Sequence, residues 1–346
     1  MNQLRLRPPA SRGPLSEGLV ARLLTAPSPA PELAGLARAA AATPDPITDD
    51  DVQLSLTLLY ELHYRGIDGV DDRWEWHPAL MAATAELEAV FEQRLRALAA
   101  DRLPGDQVRP GEIPGALTAM IQADLGPSLS RHVARQATRE EVVELLMHRS
   151  VYHLKEADPH TWAIPRLSGT PKAALVEIQA DEYGGGMPNR MHAALFAKMM
   201  RGMGLDDSYG AYLDRVPAVT LAWVNTMSFL GLHRRFRGAA VGHLAVVEMD
   251  SSLPSRLYSN GLRRLGFDGE VTDFFDEHVE ADAVHEQIAA HDLAGRLGQQ
   301  EPELVSDIMF GAATSLVTGG LVAAQMLDSW ADGRSSLLSQ LETARA

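Results

Sequence analysis

The feature that most constrains this chain is the segment Asp273 to Glu286, which reads D-F-F-D-E-H-V-E-A-D-A-V-H-E. His278, Asp282 and His285 are spaced four and three residues apart, so on an α-helix they project from one face, each a turn above the last. Imidazole, carboxylate and imidazole in one stripe are metal-ligand types. A solvated acidic helix would carry the same residues on one face with no metal, and a short spacing alone does not separate the two readings.

Three other segments carry candidate partners. Tyr152 to Pro159 (Y-H-L-K-E-A-D-P) holds Glu156 in a helical run predicted to end near Pro159. Glu177 to His192 (E-I-Q-A-D-E-Y-G-G-G-M-P-N-R-M-H) holds Glu182 and His192. Ala239 to Asp250 (A-A-V-G-H-L-A-V-V-E-M-D) is mostly apolar until Glu248, and a carboxylate there is expensive to bury unless it is paired or bound to a cation. Inward carboxylates and histidines from four helices are the pattern of a carboxylate-bridged site for two irons or two manganeses inside a bundle. His243, on the Glu248 helix, reads as a hydrogen-bonded core residue and stays outside the set.

Glu182 and His192 need separate geometry. Ten residues on an ideal helix rotate by about 1000°, roughly 80° short of three full turns, so on an unbroken helix the two would not share a face. Gly184, Gly185, Gly186 and Pro188 stand between them and allow the two halves to re-aim. The alternative is an ordinary loop between two helices, with Glu182 a surface acid.

The set Glu156, Glu182, His192, Glu248, His278, Asp282 and His285, in this order and spacing, resembles the haem-oxygenase-like diiron oxidases and oxygenases, and is most like the central domain of an N-oxygenating member. The resemblance covers about residues 140–330. It implies an all-α, haem-oxygenase-like helical bundle that binds two Fe(II) ions per chain and uses O2 as co-substrate. It assigns the metal to His192, His278 and His285 with Glu182, Glu248 and Asp282, and gives Glu156 the place of a further carboxylate found in members that act on amine nitrogen. Four carboxylates and three neutral imidazoles would balance two ferrous ions in charge, and oxygen-rich ligation with imidazole suits iron or manganese. With no cysteine in the chain, sulfur-ligated clusters and disulfides are excluded.

The net charge of −15 and scattered basic residues argue against a nucleic-acid surface. The start of the chain (M-N-Q-L-R-L-R-P-P-A) has no apolar run after its charges, so a cytoplasmic protein is expected. Gly311 to Leu327 is an uncharged run of seventeen residues, at the short limit for a membrane helix; its Thr, Ser, Gly and Gln content favours a buried core helix instead.

Read in order, residues 1–46 are a Pro/Ala-rich arm with one short helix around Leu19 to Leu24. Residues 47–115 carry two auxiliary helices, one starting at the acidic Thr48-Asp49-Asp50-Asp51 and one from Pro78 to about Arg102, ending in the Pro/Gly-rich Leu103 to Pro114. Residues 116–346 form the diiron domain. The resemblance implies that the auxiliary helices support a homodimer; they could equally extend the core bundle.

The leading functional expectation is an O2-activating diiron oxygenase that draws on an external electron donor. By resemblance, Glu156 as a catalytic ligand points to N-oxygenation of an amine or guanidine on an amino-acid-like substrate. The alternative is C–H desaturation, cyclisation or C–C fragmentation of an amino acid or fatty acid. Two other classes are a haem-degrading enzyme, with His153 as its candidate iron ligand, and an iron-storage bundle. Arg166, Arg256, Arg263 and Arg264 are candidates to bind a substrate carboxylate, in no order of preference.

Overall fold

The Pro/Ala-rich lead-in folds into two helices, α1 (Pro14–Leu23) and α2 (Glu32–Ala41). Pro14 sits at the first helical position, where its missing N–H is no loss. Leu15, Leu19 and Leu23 recur every four residues and are fully buried with Leu33, so the prolines set where these helices begin without keeping the lead-in off the core. The computed structural model describes residues 5–339, apart from the side chains of residues 280–283. Among the described residues there is no named strand, only an isolated bridge between Leu6 and Ile67, and the protein is all-α.

Helix α3 (Asp50–Glu61) starts at the Asp49 cap, whose carboxylate accepts the Val52 N–H, and α4 (Pro78–Ala99) again has proline in its first turn. The chain continues through α5 (Ile113–Ala123), α6 (Leu129–Arg135) and α7 (Arg139–His153). Thr138 and Glu141 cap α7 reciprocally, as expected for this sequence signature. Next come α8 (Asp158–Thr161), α9 (Gly169–Glu182), α10 (His192–Gly202), α11 (Ala218–Leu232), α12 (Arg237–Met249) and α13 (Ser252–Arg264). Helix α14 (Asp273–Gln287) runs directly into a π-helical stretch, Ile288–Gly295, before α15 (Arg296–Gln300) and α16 (Val305–Ala331).

The N-terminal helices are continuous with the rest of the core: α3 lies on α11, and α4 on α16. The first contact is polar at its centre. Asn225 of α11 donates to the Gln53 carbonyl (2.9 Å) and to Gln53 Oε1 (2.8 Å), while Thr57 donates to Asn225 Oδ1 (3.1 Å). Asn225, Met227 and Phe229 are therefore core residues.

Helix α16 is long and apolar enough to cross a membrane, but 67% of its apolar 18-residue stretch is buried inside the protein. It crosses α12 closely: a methyl group at Gly242 would overlap the Ile308 carbonyl, and one at Gly311 would overlap that of Ala239. By contrast, Gly319 and Gly320 of the same helix have nothing within 4 Å. Gly242→Val should therefore lose about 1–3 kcal/mol of stability through overpacking. Gly320→Ala should be neutral or gain up to about 1 kcal/mol, from the helix penalty of an interior glycine. Denaturant unfolding of the two variants checks the difference in sign.

Candidate metal centre

Helix α7 stops at His153, sooner than the sequence suggests, and Glu156 stands in the turn before α8. It is 9% exposed. Glu182 is the last residue of α9 and His192 the first of α10, and the glycines between them reverse the chain. Gly184 has φ +70°, and a Cβ there would lie 2.6 Å from the Met191 nitrogen, so only glycine lets the returning chain come this close. The reversal brings His192 Nδ1 to 3.0 Å from Glu182 Oε2, a contact that an unbroken helix would not make.

Glu248, near the end of α12, and His278 and His285, on α14, are also buried. Ligand atoms of Glu156, Glu182, His192 and His278 lie within 4.8 Å of one another, as do those of Glu182, Glu248 and His285. Glu182 belongs to both groups. Six of the seven sequence candidates therefore converge; the seventh, Asp282, has its side chain outside the described residues.

The hydrogen bonds fix which ring nitrogen faces inward. His278 Nδ1 donates to the Phe274 carbonyl at 2.7 Å, and its Nε2 lies 3.8 Å from Glu156 Oε1. His285 Nε2 lies 3.0 Å from Asp181 Oδ2, and its Nδ1 lies 3.2 Å from Glu248 Oε2. A carboxylate or carbonyl holding the outer N–H of an imidazole is how metal-binding histidines are usually oriented. Arg149 donates to His153 Nε2 at 3.0 Å. This leaves Nδ1 as the N–H that donates to Glu156 Oε1 at 2.7 Å.

These atoms fit a cation. Glu156 Oε2 is buried with no hydrogen-bond partner, and His192 Nδ1 touches Glu182 without hydrogen-bond alignment. Three buried carboxylates converge with three imidazoles, an oxygen and nitrogen donor set suited to iron or manganese. The rings of Phe196 and Phe274 pack together beside His153, with Phe274 also against His278, and close one side with apolar surface.

The converging carboxylates raise the basicity of two of the imidazoles. Burial opposes charging His285, but the hydrogen bond and charge of Glu248, helped by Asp181 and Glu182, push its pKa up to about 9. His192 is likewise opposed by burial and raised by Glu182. Burial also opposes the Glu156 charge; contact with His153 and His278 outweighs it and keeps the carboxylate ionised. Since the His285 pKa is higher in the folded chain than the ordinary value of about 6.5, its stabilising contribution is complete below that pH and is lost as pH rises through about 9. Metal loading at neutral pH should therefore release protons, and the release should shrink toward pH 9 and above. Dye-monitored loading in weak buffer measures this, and no release at neutral pH would contradict the assignment.

Sequence reasoning missed Asp181 and gave His153 only as a haem ligand. Both His153 nitrogens are engaged, by Arg149 and by Glu156, so neither is placed to bind haem iron. Three of the four candidate arginines have structural partners: Arg166 and Arg264 donate to backbone carbonyls, and Arg263 pairs with Asp276. Arg256 is exposed.

Residues 143–320, just over half of the chain, match the protein family described as iron-containing redox enzymes. A nitrosourea synthase from Streptomyces achromogenes subsp. streptozoticus is 24% identical over 186 residues, a match that spans 52% of this chain and 40% of that protein. The all-α fold, the buried histidine–carboxylate cluster and the family match agree, and the chain belongs to the iron-containing redox enzymes of haem-oxygenase-like type.

Proposed function

We propose that this oxidoreductase is a non-haem diiron oxygenase. Glu156, Glu182, His192 and His278 would hold one iron, Glu182, Glu248 and His285 the other, with Asp282 joining from the His278/His285 face of α14 by its spacing. The observation that carries the proposal is the sharing of Glu182 between two ligand groups, which suits a bridging carboxylate. When bound, two ferrous ions supply two electrons and a binding place for O2, and a reductant outside the chain restores them.

The favoured reaction is oxygenation of an amine or guanidine nitrogen on an amino-acid-like substrate, in which one oxygen atom goes to nitrogen and the other leaves as water with two protons. The likeness to a nitrosourea synthase and the buried Glu156 support it. In this scheme Asp181 and the Phe274 carbonyl hold His285 and His278 in register, and the two phenylalanines exclude water from one side. Anaerobic ferrous loading followed by iron analysis tests the metal count; about two irons per chain are expected, and zero or one in folded protein would overturn the proposal. O2 uptake against a panel of amino acids tests the reaction.

A further inference from the structure

Glu156 lies between two residues with unusual surroundings. Its neighbour Lys155 is paired outside the metal cluster: its Nζ lies 3.3 Å from Glu61 Oε2 at the end of α3, with the two side chains 5% and 1% exposed. The Tyr209 hydroxyl donates to the same Glu61 oxygen at 2.7 Å, and the Arg65 N–H donates to Glu61 Oε1 at 3.3 Å. Arg65 Nη2 in turn donates to the Leu154 carbonyl at 2.8 Å. On the other side of Glu156, Ala157 has φ +74°, a left-handed conformation that a non-glycine residue keeps only where its surroundings impose it. Its carbonyl accepts Gln179 Nε2 of α9 at 2.9 Å.

We infer that the buried Glu61–Lys155–Tyr209 cluster is a positioning device for Glu156, so that the N-terminal helices are a working part of the metal site. The inference rests on the reading of Glu156 as a metal ligand. Residues 154–157 are tied to the end of α3 by Lys155, to Arg65 in the turn after α3 by Leu154, and to α9 by Ala157. Between these two anchors the Glu156 carboxylate meets His153 at 2.7 Å and His278 at 3.8 Å. A buried ion pair is a poor device for stability alone, because apolar replacements of similar volume often do as well. Its directional charge does fix the register of the turn. Glu61 and Arg65 lie outside the family match, which begins at residue 143, so family likeness gives no sign of this role.

The test uses full-length protein loaded with Co(II), whose visible absorption reports the number and kind of its ligands. The double variant Glu61→Gln/Lys155→Met removes both charges together and leaves neither buried alone. Tyr209→Phe is a milder perturbation, should the double variant fail to fold. Glu156→Gln gives the reference spectrum for an impaired ligand, and Leu58→Ala, a buried α3 residue outside the cluster, controls for lost stability. The double variant should reproduce the Glu156→Gln spectrum and bind ferrous ion about 10- to 100-fold more weakly, the usual scale for outer-sphere partners. Tyr209→Phe should shift the spectrum the same way by less, while Leu58→Ala lowers Tm and keeps the parent spectrum. If the cluster variants lose Tm but keep the parent spectrum and affinity, the cluster is structural only and the inference is overturned. If Glu156→Gln itself keeps the parent spectrum, Glu156 is not a ligand, and the reading of the site fails along with it.

Discussion

Glu182→Ala is expected to remove both metal ions, whereas His285→Ala should remove one. Glu182 alone among the described residues belongs to both ligand groups, and it stands where two rigid elements meet, at the last turn of α9 and 3.0 Å from the first residue of α10. Its loss takes a carboxylate from both groups at once, whereas substitution of Glu156 or Glu248 touches one group only. His285 serves only the group with Glu182 and Glu248, so its removal leaves the four-residue group short of nothing. Iron content should fall from about two per chain to near zero for Glu182→Ala and to about one for His285→Ala. Substrate-dependent O2 uptake should fall by more than about 100-fold in both, beyond the scale of an outer-sphere change. Equal iron in the two variants would show that Glu182 is not shared.

The helices were largely legible from periodicity, and so was the histidine stripe of α14, because spacing on one helix is a local property. The Glu182–His192 pair was legible in part: rotation per residue shows that an unbroken helix separates them, and the glycines show where it breaks. The direction of the reversal depends on the close approach of Gly184 to Met191, a tertiary contact. Two features had no local signal. Asp181 differs from any other acid beside a ligand only by its contact with His285. Lys155 stands next to Glu156 in the sequence, yet its charge is matched by Glu61, 94 residues earlier in the chain. The lead-in was misleading because proline content speaks of helix starts and turns, while burial of Leu15, Leu19 and Leu23 is decided by what packs against them.

Glu156→Ala should separate metal binding from chemistry. Glu182, His192 and His278 remain for the ion that Glu156 would help hold, and the group of Glu182, Glu248 and His285 is intact, so weaker binding at this one position should still leave most of the iron in place when ferrous ion is saturating. What is lost is a buried anion with one oxygen fixed by His153 at 2.7 Å and the other without a hydrogen-bond partner. Removing it changes the charge of the site by one unit and opens space beside His278. The expected result is near-parental iron content with product formation reduced about 100-fold or more, on the scale of groups that act directly on a reaction. An exposed acid paired with a neighbouring lysine would behave otherwise, since such pairs contribute under about 1 kcal/mol, but Glu156 is buried and Lys155 faces Glu61. Iron analysis and amine-dependent O2 uptake on the same sample decide the matter. If Glu156→Ala turns over like the parent, the case for nitrogen as the oxidised atom loses its structural support, and C–H oxidation of an amino acid or fatty acid becomes the better reading of the same metal site.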